Sequence, residues 1–328
     1  MVGRSMELRS ETPASGASSN AGVAPGRLAR FVRSQSPLHW LLSLVVLVIA
    51  VELIGSVSTN ENFEWGVVGD YLFSHSILMG LLRTLELTVI AEFVGYVLGA
   101  LLAIMRLSGA PLAVGASWLY VWFFRGTPLL VQLIFWYNLG ALYRSISLNI
   151  PFGPALFSAD ANSLITPFTA AILGLGLNSA AYMAEIFRSG ISSIHHGQSE
   201  AALALGMSRK QMLRHVIMPQ AMRVIIPPAS NELIGMLKYS ALVSVLAYQD
   251  LLYSAQIIYN RTYQTIPLLI VVSIWYIVVT TVLTIGQSYV ERHFSRGIRQ
   301  SRQRRSVSRG AGTSTDRPAA PATAAPIT

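Results

Sequence analysis

The sequence predicts an all-α, polytopic membrane protein of about six transmembrane helices, and two observations carry that reading. Of 328 residues, 52% are hydrophobic and only 12% are Asp, Glu, Lys or Arg, about half the charged share of a soluble domain. The apolar residues also fall in runs close to the roughly 20 residues that a helix needs to cross a ~30 Å hydrocarbon core. This composition excludes disorder over the whole chain and argues against a soluble globular enzyme.

The elements follow in order. Residues 1–37, rich in Ser, Ala, Gly and Arg, read as a disordered cytoplasmic leader. A first helix at Trp40 to Ile54, with Glu52 near its far end, and an external loop fill residues 38–77. A cleaved signal peptide is the rival reading, but no convincing small-x-small cleavage site follows Ile54 and the preceding segment is too long. The second span is Leu78 to Met105, interrupted by Arg83, Glu86 and Glu92. The third, Leu112 to Leu139, is one long or broken helix around Arg125. The fourth lies within Ala161 to Ala184, and the fifth, Val224 to Tyr248, holds Glu232 and Lys238. The sixth, Thr262 to Val290, has no charge at all. Residues 78–294 thus form the main membrane domain, and residues 295–328 a basic, then Ala/Pro-rich, disordered tail.

Lys+Arg 24 against Asp+Glu 15 leaves a net charge of +9, nearly all of it arginine because Lys210 and Lys238 are the only lysines. Such an excess can serve nucleic-acid binding, but here the arginines cluster beside apolar runs, the pattern of a membrane orientation signal. The leader, the turn at Arg106, the segment from Arg188 to Arg223 and the tail hold most of them. The intervening loops contribute Arg144 and Arg261 against Glu61, Glu64, Asp70, Asp160 and Asp250. Positive-inside counting therefore places both termini in the cytoplasm. With no cysteine there is no disulfide, thiolate metal site or cysteine nucleophile.

Between the fourth and fifth spans lies a segment too long for a turn. Gln198 to Leu205 reads as a short Ala/Leu helix stopped by Gly206. Ser208-Arg209-Lys210-Gln211 is a capping box that starts a second helix. Met212 with Val216 and Leu213 with Ile217 give it an apolar stripe, and Pro219 is expected to end it. The result is an elbow of two small helices at the inner membrane surface.

Glu200-Ala201-Ala202, three residues, Gly206, nine residues, then Val216-Ile217-Met218-Pro219 resembles the EAA motif of permease subunits of ABC importers. Arg125-Gly126-Thr127-Pro128-Leu129-Leu130-Val131-Gln132 is similar to a signature of the polar amino-acid branch. So are the stretches Leu177 to Arg188 and Pro219 to Pro228, and the resemblance covers about Leu78 to Phe294. It implies a five-helix type I importer core with one added N-terminal helix, in a bacterial cell membrane. It further implies two ATPase subunits, a second permease of the same or similar kind, and an extracytoplasmic amino-acid-binding protein as partners. Coupling to the ATPases would fall to Glu200, Ala201, Ala202, Gly206 and Pro219. One stretch departs from the branch: Leu237-Lys238 is followed by Tyr239, Ser240 and Ala241 rather than an Asp or Asn and two small hydroxyl residues.

No phosphate-cradling Gly-x-x-x-x-Gly-Lys motif occurs, so ATP hydrolysis is expected on a partner chain, and no cofactor or catalytic trio is implied. Gly174-x-Gly176 reads as helix packing and His195-His196 as a solvated pair rather than a metal site. Intramembrane charges are costly, about 2.5–3.5 kcal/mol each on insertion scales unless paired or hydrated. Arg83 and Glu86 are expected to pair at i, i+3, while Glu92 stands alone. Arg125, Thr127, Gln132, Asn178, Glu185, Lys238 and Ser240 are candidates to line a substrate path, with Arg125 and Lys238 meeting a carboxylate. An ion-coupled secondary transporter or channel is the alternative from another class, and a membrane scaffold without transport a third.

Overall fold

The computed structural model describes residues 37–149 and 155–295; the expected leader up to Ser36 and the tail from Arg296 lie outside the described residues. The chain divides into two units, residues 1–63 and 64–328. In the first, α1 spans Pro37–Thr59 and a 3₁₀ turn follows at Glu61–Phe63. Ser43, Ser58 and Thr59 donate to carbonyls four residues back at 2.7–2.8 Å, so their hydroxyls are satisfied within the helix, as a lipid surrounding demands.

The second unit begins with α2 at Trp65–Leu72, followed by the long α3 at His75–Leu107. The third span is broken. Its halves are α4, Pro111–Gly126, and α5, Leu129–Tyr137, bent by 102°. The break has a local cause: Pro128 has no N–H, and it forces Thr127 into extended backbone at φ −115, ψ 143. After the short α6, Leu139–Leu142, the expected loop contains an antiparallel hairpin of β1, Ser145–Asn149, and β2, Ala155–Asp160, with Ser145 opposite Asp160. Asp160 then caps α7, Ala161–Leu164, accepting from Asn162 N at 2.8 Å. The fourth span, α8, Pro167–Ser192, starts later than its apolar run because a Thr166–Thr169 capping box and Pro167 set its first turn.

The elbow follows as α9, His196–Ala204, and α10, Arg209–Met212. Pro219 does not end the second helix, contrary to the sequence expectation. A π turn at Leu213–Ile217 carries α10 directly into α11, Met218–Tyr239, and a 3₁₀ stretch extends it through Ser240–Leu246. A proline clashes with the carbonyl four residues back, here that of His215, and the wider π turn falls on that residue. The Val216 carbonyl is met by Gln220 Nε2 at 2.8 Å. After a 45° bend, with Ala247 at φ 57, come α12, Leu251–Thr262, and α13, Thr265–Ser295.

Among the described residues, four helices are long and apolar enough to cross a membrane, or six spans if each bent pair counts as one. The tightest pairing is α3 on α8. A Cβ at Gly95 would lie 2.7 Å from Ser179 Cβ, and one at Gly99 2.6 Å from Met183 Cβ. One buried cluster joins Leu87 and Ala91 of α3, Leu133 of α5, Leu175 of α8 and Met236 of α11. A second joins Val68, Ile77, Leu251, Leu268 and Val271, seating α2, α12 and α13 on the first turns of α3.

Candidate functional site

At the elbow the chain turns through a Schellman motif. Gly206 N donates to Leu203 O at 2.9 Å and Met207 N to Ala202 O at 3.1 Å, with Gly206 at φ +78. Left-handed backbone of this kind is open to glycine at no steric cost, which is why glycine stands there. The Ser208–Gln211 capping box forms as the sequence indicates. Ala202 is buried, while Glu200 and Ala201 are exposed, and beside them Leu203 and Leu205 are 47% and 83% exposed. Gln220 Nε2 reaches Gln198 Oε1 at 3.3 Å, tying α9 to the foot of α11 near the exposed Pro219. The elbow is therefore one end of a helical stretch running from Arg209 to Leu246. Leu203 and Leu205 escaped sequence reasoning because they belong to no periodic stripe. Their exposure becomes visible only once Gly206 fixes the turn.

Three of the path candidates form one network at the α4–α5 break. The Phe124 carbonyl accepts from Gln132 Nε2 at 2.9 Å and Asn178 Nδ2 at 3.1 Å. Gln132 Nε2 also reaches Thr127 O at 3.1 Å and Thr127 Oγ1 at 2.7 Å, and Asn178 Nδ2 reaches Gln132 Oε1 at 3.2 Å. Pro128 cannot supply the N–H that would continue the helix, and these carboxamides satisfy the carbonyls it strands.

Arg125, two residues before Thr127, is exposed and holds its guanidinium over the Tyr182 ring at 5.1 Å. It shares a groove of ≈ 490 Å³ with Arg106, Trp118, Trp122 and Glu185. Glu185 is bound by Arg188, the one ion pair among the described residues. Lys238 and Ser240 lie outside this groove, at the end of α11. Lys238 is exposed with no partner among the described residues, and Ser240 is buried and donates to Leu237 O at 2.7 Å. The candidates thus fall into three places rather than one.

Three charges depart from expectation. Arg83 does not pair with Glu86; its guanidinium donates to Gln249 Oε1. Glu92 is buried and accepts from Ser179 Oγ at 2.9 Å. Asp250, counted among the acids of an external loop, is fully buried and caps α12 by accepting from Tyr253 N at 2.8 Å. His195 also caps a helix, its Nδ1 accepting from Gly197 N at 3.1 Å.

A family profile described as "Binding-protein-dependent transport system inner membrane component" matches residues 95–296. An arginine transport system permease protein of Corynebacterium glutamicum is 45% identical over 264 residues, 80% of this chain and 81% of that one. An arginine transport system permease protein of Bacillus subtilis is 36% identical over 217 residues, 66% of this chain and 91% of that one. Among solved structures, one described as an amino acid ABC transporter with histidines superposes with a TM-score of 0.57 at 38% identity, covering 66% of this chain and 94% of that one.

Proposed function

The chain belongs to the family of binding-protein-dependent transport system inner membrane components, and on that footing we propose that its cargo is a basic amino acid of the arginine type. It is a permease subunit of an ABC importer, and the family works with ATPase and substrate-binding partners. We place the elbow and both termini in the cytoplasm on the loop charges, and the hairpin and α12 on the outer face. The complex would hold two ATPases, a second permease and one external binding protein. Arg125 and Glu185 would line the inward vestibule, Lys238 would meet the cargo higher in the path, and the Thr127–Gln132–Asn178 network would keep the broken span in shape beside it.

The observation that carries the mechanism is the continuity of the elbow with α11. Glu200, Ala201, Leu203 and Leu205 present the docking surface, with Ala202 packed beneath and Gly206 setting the turn. Force applied to α9 passes through the Gln198–Gln220 contact into a helical stretch that reaches Lys238. Closure of the ATPases would then rock the spans between inward and outward openings. The test is uptake by proteoliposomes holding this chain, its ATPases and its binding protein. Labelled arginine should accumulate with ATP and be displaced by lysine more than by glutamine. Preferential displacement by glutamine would contradict the basic cargo.

A further inference from the structure

A cavity of ≈ 250 Å³ lies between the opening turns of α3 and α12. His75, Ser76, Gly80 and Arg83 stand on one side, Gln249 and Ser254 on the other. Gly80 sets the separation: a Cβ there would lie 2.8 Å from Asp250 O and 2.9 Å from Ser254 Cβ, so only glycine lets the two helices close under the cavity. Arg83 sits eight residues into α3, about 12 Å along it at 1.5 Å per residue. Its bond to the Gln249 carboxamide holds the guanidinium but supplies no charge and leaves other N–H donors free. Among the described residues, Glu86 forms no ion pair with it and no carboxylate lines the cavity. His75, at the other end, is exposed and has no partner among the described residues. A guanidinium in an apolar span needs an anion or water, and its planar fork fits a carboxylate with two parallel hydrogen bonds.

We propose that this cavity is a carboxylate-binding site on the outer half of the membrane domain, with Arg83 as its anchor, Gln249 as the residue that orients it, and His75 at the mouth. The site rests on the orientation and importer reading given above. The carboxylate comes either from the cargo's own α-carboxylate or from an acidic side chain of the docked binding protein.

The test uses the whole complex in nanodiscs. One titration adds labelled L-arginine, or agmatine, which lacks the carboxylate, without binding protein. The other adds unloaded binding protein over immobilised complex. Arg83→Gln should weaken one of them by about tenfold or more. His75→Ala, at an exposed position, should weaken the same one by about threefold. Loss for arginine but not for agmatine identifies the cargo carboxylate. Loss for the binding protein identifies an acidic side chain. Unchanged titrations in both variants overturn the site, and they would do so even in a complex that still imports arginine with ATP, so the importer reading stands or falls separately.

Discussion

Ser179 donates its hydroxyl proton to Glu92 Oε2 across 2.9 Å, at the point where Gly95 leaves no side chain between α3 and α8. A carboxylate buried in a membrane span is thus held by a neighbouring helix, and the close approach that permits it depends on Gly95 and Gly99. The pair is the spine of the membrane domain. Within the second unit, α4, α5, α11 and α12 each pack against one or both of these helices.

That spine yields the first prediction. Gly95→Leu must force apart two backbones already at van der Waals distance, and overpacking of this kind costs about 1–3 kcal/mol. The variant should show a lower melting temperature and reduced recovery in detergent. Gly115→Leu, where nothing lies within 4 Å of the Cβ position, should melt like the wild type.

The second concerns the break between α4 and α5. Gln132→Leu removes the carboxamide donor to Thr127 O and Thr127 Oγ1 and leaves Phe124 O with Asn178 alone, at a cost of about 1–3 kcal/mol for stranded buried acceptors. Stability and transport should fall together. Thr127→Val, which leaves both backbone carbonyls their carboxamide donor, should fall less. A transport defect in Gln132→Leu with an unchanged melting temperature would show instead that the carboxamide acts on cargo.

The third concerns orientation. The chain has no cysteine, so single substitutions report cleanly. Tyr263→Cys and Leu205→Cys place thiols at positions 90% and 83% exposed. An impermeant maleimide should label the first in intact cells and the second only after permeabilisation. The reverse pattern would invert the molecule and remove the elbow from the ATPases.

Where the sequence was informative, the reason is physical. Charge-free runs such as Thr262 to Val290 and the Ser208–Gln211 box are local signals, and α13 and the cap of α10 follow from them. The third span was legible as one long or broken helix around Arg125, but its break at Thr127–Pro128 and the 102° bend depend on what Gln132 and Asn178 reach across space. Pro219 misled because a π turn absorbs the clash that normally ends a helix. Asp250 misled because loop acids are usually solvated, whereas this one is a buried cap. Arg83 and Glu86 have the right spacing to pair, yet Gln249, 166 residues away, takes the guanidinium. Long-range partners of this sort leave no periodic trace in a single sequence.

The most direct test of the central claim, that this permease is driven through its elbow, is a substitution series at Gly206 in the reconstituted complex. The residue lies at φ +78, and nothing lies within 4 Å of its Cβ position, so the only penalty on a new side chain is left-handed backbone. That penalty is about 1–2 kcal/mol for most residues and smaller for Asn. Gly206→Asn should keep the ATPases bound and retain most hydrolysis stimulated by loaded binding protein. Gly206→Val should insert and fold its spans yet lose ATPase co-purification or that stimulation. Full coupling in the valine variant would contradict the account, because the elbow would then be a helix resting on lipid and not the handle of the transporter.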